Sequence, residues 1–222
     1  MLDKFKSMQE LEKETIENED WKIITRNRNS SVSILAIHGG GIEPATTELA
    51  SIIADEGGYN YFIFEGLRSK GNKELHVTST RYDNKDAMNL VTESNQAIAI
   101  HGCEGNESIA YVGGKDERLK SLIKEQLNHI GIKAKEAPSH ISGQQDNNIV
   151  NCTTRGRGVQ IELTTSLRKA FFKNNKINRK SRENQSNWDK LMYDFAKAIK
   201  SAIENIESVS YTHLTLPTIL RV

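Results

Sequence analysis

The stretch SVSILAIHGGGIEPATTELA, residues 31–50, decides how this chain is read. Residues 32–37 form an unbroken apolar run, which reads as a strand buried on both faces of a sheet. His38 ends the run, three glycines follow, and Glu43 stands a short loop beyond. Pro44 suits the first turn of a helix, and Ile42, Leu49, Ile52 and Ile53 supply that helix with an apolar face.

Outward from this unit the same alternation continues. Residues 59–66 (YNYFIFEG) read as a second strand, closed by Gly66, and 75–80 (LHVTST) as a third. A helix is predicted over 84–94. Short strands at 97–100 (AIAI) and 108–114 (SIAYVGG) follow. Leu119, Leu122, Ile123, Leu127 and Ile130 keep the 3.6-residue period, with Asp116 as N-cap and Gly131 as C-cap. Residues 158–163 (GVQIEL) are a further strand. Trp188, Leu191, Phe195, Ile199, Ala202 and Ile203 mark a long amphipathic helix. Strands alternating with helices predict one α/β domain, its mainly parallel, mixed sheet covered by helices on both faces.

The chain has 222 residues, enough for a sizeable core, and a formal charge of +1, which gives no basic footprint for nucleic acid. It holds no apolar stretch long enough to span a membrane. The first 20 residues are charged throughout and resemble no signal peptide, so they are set apart as an N-terminal extension, and a protein kept in the cytoplasm unless host lysis releases it is expected. Cys103 and Cys152 fit no metal or redox spacing and read as reduced thiols. Residues 208–222 (VSYTHLTLPTILRV and the serine between them and the helix) break the helical pattern and look like a translated sequencing-adapter scar. They are treated as a non-native tail, His213 included.

His38 and His101 each follow an apolar strand and precede a glycine. In α/β sheets, sites gather at the carboxyl ends of the strands, so two separate strands could deliver both imidazoles to one point. Two histidines and a carboxylate, with a fourth position open, is the ligand set of a catalytic zinc site. On spacing alone, each histidine could equally cap its strand. Glu162 shares a strand face with Gln160 and Thr164, which reads either as a solvated outward carboxylate or as a buried group placed to move a proton. Arg68, Lys70, Lys73 and Arg81 follow the second and third strands and would rim the same edge with positive charge. Arg155 and Arg157 precede the strand of Glu162. His76 opens its strand and is expected at the opposite end. His129 and His140 read as surface residues, whereas Cys103 should point the same way as His101 and stays open as a thiol donor.

The segments HGGGIEPATTELA, LHVTSTRYD, IAIHG, VGG, NNIVN, GRGVQIELT and RKAFFKNN fall in one order over residues 20–206. Together they resemble the phage and Bacillus poly-γ-glutamate hydrolases, sometimes labelled phage-related replication proteins, whose fold is like that of the zinc carboxypeptidases. The resemblance implies a hydrolase domain over 21–207 that binds Zn2+ through His38, Glu43 and His101, with Glu162 as the catalytic carboxylate. It implies an anionic polymer substrate, poly-γ-glutamate, cut internally for removal of a host capsule; a monomer is favoured with the oligomeric state left open, and charge and hydropathy give no nucleic-acid or membrane partner. Arg157 would stabilise the oxyanion or grip a side carboxylate, and Arg68, Arg81 and Arg155 would contact the polymer. The spacing His-x4-Glu is longer than in the carboxypeptidases, so terminal-carboxylate recognition does not carry over from them. Two rivals remain at this point: a zinc deacylase or exo-carboxypeptidase acting on small acyl-amino acids, and a non-enzymatic replication-associated protein.

Overall fold

The computed structural model describes residues 3–214, with side chains described as far as residue 206. The strands are β1 (Trp21–Arg26), β2 (Val32–Gly40), β3 (Asn60–Gly66), β4 (Gln96–Cys103), β5 (Ile109–Gly114), β6 (Lys133–Glu136) and β7 (Val159–Thr164). The helices are α1 (Met8–Glu14), α2 (Thr46–Gly57), α3 (Lys85–Thr92), α4 (Glu117–His129), α5 (Thr165–Ala170), α6 (Arg179–Arg182) and α7 (Lys190–Leu214). All seven strands form one sheet in the order β1-β3-β2-β4-β7-β5-β6. The middle four, β3, β2, β4 and β7, are parallel, while β1 and β5 join them antiparallel.

Alternation along each strand divides the core into two layers. Ile34, Ala36, Ile98, Ile100, Ile161 and Leu163 face α2, α4 and α7, against Leu49, Ile53, Ile123, Phe195 and Ile199. Leu35, Ile37, Phe62, Phe64, Ala97 and Ala99 face the other way, onto Phe5, Met8 and Leu11 from α1 and its approach, and Leu90 and Val91 of α3. Helices thus cover both faces, and the sheet is mixed as expected. The period of the 116–131 segment also holds: Asp116 accepts the Leu119 N–H at 3.2 Å, and Gly131 takes φ 81° beyond the helix.

Four local expectations are corrected. Residues 75–80 are not a strand but two 3₁₀ turns, Asn72–Leu75 and Ser79–Arg81 with an extended link between them. The free edge of β3 that such a strand would need is already taken by β1. Pro44 lies outside α2, which starts at Thr46 after Ala45 in the left-handed region at φ 85°. Residues 3–20, set apart above as an extension, pack into the domain: Phe5, Met8 and Leu11 are buried in the second core layer. Finally, α7 runs on through Leu214, past the break expected at 208, while residues 215–222 lie outside the described residues. Among the described residues no helix is long and apolar enough to cross a membrane.

The packing of α1 has a measurable consequence. Leu11 has no exposed surface, and truncation of such a side chain typically costs about 2–5 kcal/mol. Leu11→Ala is therefore expected to lower the urea midpoint by a corresponding amount with an unchanged m-value. A shift within about 0.5 kcal/mol, the range of surface substitutions, would show that α1 is not part of the domain.

Candidate active site

The position of His38 depends on an irregularity in β2. Between Ala36 and Gly39 the pairing with β3 advances three residues against two, from Ile63 to Glu65. Strict alternation would put His38 on the α2 side, opposite to Ile37. The extra residue turns the ring instead to the side of Val77 and Tyr82, the use to which bulges next to active sites are commonly put. There His38 Nε2 donates to the Val77 carbonyl at 2.8 Å, which leaves Nδ1 with its lone pair. The chain then closes a tight turn, with the Glu43 N–H on the His38 carbonyl at 2.9 Å. The glycines serve this turn. Gly40 sits at φ 63°, and a Cβ there would fall 2.5 Å from the Gly66 carbonyl oxygen.

His101 arrives from β4 on the same face. His38 Nδ1 and His101 Nδ1 are 3.2 Å apart, and Glu43 reaches both, with Oε1 3.3 Å from His38 and Oε2 3.5 Å from His101. The Gly102 N–H also donates to Glu43 Oε2 at 2.9 Å. Ligands held about 2.0–2.2 Å from a tetrahedral ion stand roughly 3.3–3.6 Å from one another. The three groups therefore have the separations of a coordination shell, and lone pairs facing one another this closely are relieved by a cation between them. The donor set fits a metal ion. Burial alone would raise the Glu43 pKa, but the two imidazoles hold its carboxyl well below the usual carboxylate range.

His76, expected at the far end of the sheet, is at the site. Its ring stacks on His38 with centroids 4.0 Å apart. Ligand atoms of His38, Glu43 and His76 lie within 4.8 Å of one another, so His76 forms a second possible donor group with the same two residues. Asp3 holds this ring: its carboxylate accepts from His76 Nδ1 at 2.6 Å, the Thr78 N–H at 2.8 Å and Arg81 Nη2 at 2.6 Å. Repulsion between the two stacked rings when both carry a proton, with burial, lowers the His76 pKa to about 4. A neutral ring donating through Nδ1 keeps a lone pair on Nε2.

Glu162 pairs in register with His101 across β4 and β7. It is buried, and Gln160 Nε2 donates to its Oε1 at 2.9 Å. Desolvation raises its pKa, against the opposing pull of His101. The outward-facing alternative for this carboxylate is excluded by its burial. A cleft of about 370 Å³ opens over the cluster, lined by Asp3, Glu43, Lys73, His76, Cys103 and Arg168 among others. Burial, reinforced by Glu162, pushes the Cys103 thiol up to about 11, so it is not a ready thiolate donor.

The arginines divide. Arg68 follows β3 at the site's edge of the sheet but is bound to Asp20 at 2.6 Å and Glu74 at 3.3 Å. Arg81 reaches the cleft only through Asp3. Arg155 and Arg157 are not at the site. They precede β7, so they lie where β4 begins rather than where His101 ends it, and they flank Asp116 at 3.4 and 3.8 Å. The expected roles of Arg157 and Arg155 are corrected on that ground. Sequence reasoning passed over Arg168, which enters the cleft from α5. Its one signal was position: it follows closely on the carboxyl end of the strand that carries Glu162, where sites gather. Asp3 gave no signal at all in a segment dense with charge.

A hydrolase site of this kind, on the carboxyl edge of a seven-stranded mixed sheet, sets the chain among α/β enzymes with a zinc carboxypeptidase-like fold. The family profile for poly-γ-glutamate hydrolase matches residues 5–198. The UPF0714 protein YndL of Bacillus subtilis (strain 168) is 36% identical over 174 residues, 77% of this chain and 67% of YndL. The SPbeta prophage-derived UPF0714 protein YoqZ of that strain is also 36% identical, over 172 residues that make up 77% of this chain and 62% of YoqZ. A structure of a bacteriophage poly-γ-glutamate hydrolase matches with a TM-score of 0.90 at 32% identity, covering 94% of this chain and 100% of that one. A YndL structure described as the zinc-free apo form matches with a TM-score of 0.85 at 32% identity, covering 92% and 99%. The chain belongs to the poly-γ-glutamate hydrolase family and is an amide-bond hydrolase.

The hold of Asp3 on His76 can be read directly. In the wild-type protein the His76 imidazole is expected in a single tautomer with the proton on Nδ1, seen in ¹⁵N–¹H correlation spectra. Asp3→Ala should release that preference and give mixed tautomers, while an unchanged spectrum would show that another group sets the ring.

Proposed function

We propose that the chain is a zinc-dependent hydrolase that cuts γ-glutamyl amide bonds within poly-γ-glutamate, serving a phage in removing a polyglutamate capsule. The observation that supports this most is the convergence of three lone-pair donors beside a buried, protonatable carboxylate in a member of this family. His38, Glu43 and His101 would hold the ion, with His76 close enough to join or replace one of them. Zinc, when bound, supplies a Lewis acid that polarises the scissile carbonyl and makes water acidic near neutral pH.

The remaining work falls to the chain's own groups. Glu162 has a pKa raised by burial, which suits a residue that takes a proton from the attacking water and passes it to the leaving amine. Gln160 fixes one of its oxygens and leaves the other for the proton. Val77 and Asp3 orient His38 and His76 through their outer nitrogens, as groups around metal-ligating histidines do. Lys73 on the rim, only loosely paired with Glu104 at 3.9 Å, would meet a polyanion, whereas Arg68 and Arg81 behind it are already held by carboxylates.

The test has three parts. Elemental analysis should find zinc in the wild type, and size analysis of poly-γ-glutamate should find oligomeric products, whereas release of single glutamate residues would mean exo cleavage. Glu162→Gln should keep the metal while losing about 10²–10⁴-fold in turnover. His38→Ala should lose metal and activity together. A Gln variant of near-normal activity would remove Glu162 from the mechanism.

A further inference from the structure

Two buried arginines stand out in this chain, and the fold treats them differently. Arg182 and Arg168 are each 6% exposed. Arg182 is matched by an equally buried carboxylate, Glu48, at 2.7 Å. Arg168 is met only by neutral acceptors: Nε donates to the Leu163 carbonyl at 3.1 Å, Nη1 to Pro44 at 3.0 Å, and Nη2 to Cys103 at 3.0 Å and Thr165 Oγ1 at 3.2 Å. Buried charges are ordinarily paired, because removing an ion from water is costly. Among the described residues no carboxylate stands within ion-pairing distance of Arg168.

The place of this unmatched cation is specific. Arg168 lines the cleft beside Glu43 and His76. Its guanidinium lies over Gly102, where a Cβ would come within 2.8 Å of Cζ, so the glycine after His101 makes room for it. A guanidinium has five N–H groups. Four are engaged, and the one left over is on Nη1.

We propose that Arg168 is the receptor for a substrate carboxylate, the one carried by the glutamyl residue next to the bond being cut. The proposal rests on the polymer substrate inferred above. An anion in direct contact is what the guanidinium lacks: the carboxylates of Glu43 and Glu162 act on it only from beyond ion-pairing distance, and another neutral carbonyl would add no charge to the three main-chain carbonyls already there. A ligand charge bound in the ground state should therefore show in affinity and KM rather than in turnover.

Glutarate, a dicarboxylate with no amide to cut, is the probe. By calorimetry on metal-loaded protein, Arg168→Gln should bind glutarate about 10–100-fold more weakly than wild type, the value of a hydrogen bond to a charged group. KM for a γ-linked glutamyl oligomer should rise by a similar factor, with Arg168→Lys in between. Circular dichroism and metal content check that each variant is folded and loaded. Unchanged glutarate affinity, or a loss confined to kcat, overturns the proposal. If neither variant folds, a crystal structure of the wild type with glutarate decides. A carboxylate oxygen about 2.7–2.9 Å from Arg168 Nη1 supports it, and glutarate that makes no contact with Arg168 overturns it. Wild-type protein that binds glutarate on Arg168 yet leaves poly-γ-glutamate uncut would reject the substrate reading and not the receptor.

Discussion

The extra residue between Ala36 and Gly39 is the constraint on which the site depends. Without it, β2 would send Ile37 and His38 to opposite layers, and His38 would meet the aliphatic packing of α2. With it, Ile37 keeps its place beside Phe62 and Phe64 while the next ring turns toward His101. The turn that follows needs Gly40 in a left-handed conformation and brings Glu43 back over the same two rings. One local break in strand geometry thus assembles three donors, and the regular sheet around it fixes their spacing.

The two carboxylates at the site show how environment divides labour between chemically identical groups. Glu162 is buried and Glu43 is mostly shielded at the floor of the cleft. Glu43 faces two imidazoles and a main-chain N–H, and its charged form wins. Glu162 has a side-chain amide and a more distant positive field, and desolvation wins. Two carboxyls whose acidities are pushed apart in this way are the basis for the proton-carrying role proposed for Glu162.

Much of this was legible in the chain. The apolar run before His38, the alternation around Glu162 and the capped helix over 117–129 each follow from a period, and periods survive folding. What was not legible depends on partners remote in sequence. Residues 75–80 have strand composition, yet β1 holds the edge they would need and Asp3 takes the Thr78 N–H. His76 was misplaced for that reason alone. Arg155 and Arg157 have the right chemistry at the wrong end of β7, an error of direction rather than of residue type. Arg168 looked like one more basic residue in RKAFFKNN, because nothing in a sequence tells an unmatched buried charge from a solvated one.

The sheet order has a consequence for how the enzyme is built. β5 is made soon after β4, but the two are not neighbours: β7, synthesised after β5, α4 and β6, inserts between them. Until it does, β4 and β5 each present an unpaired edge, and the β5–β6 pair has no strand link to the rest. Open edges of that kind invite pairing between chains. The strand that brings Glu162 is therefore a keystone: its insertion sets that carboxylate beside His101 and covers the two inner strand edges in one event.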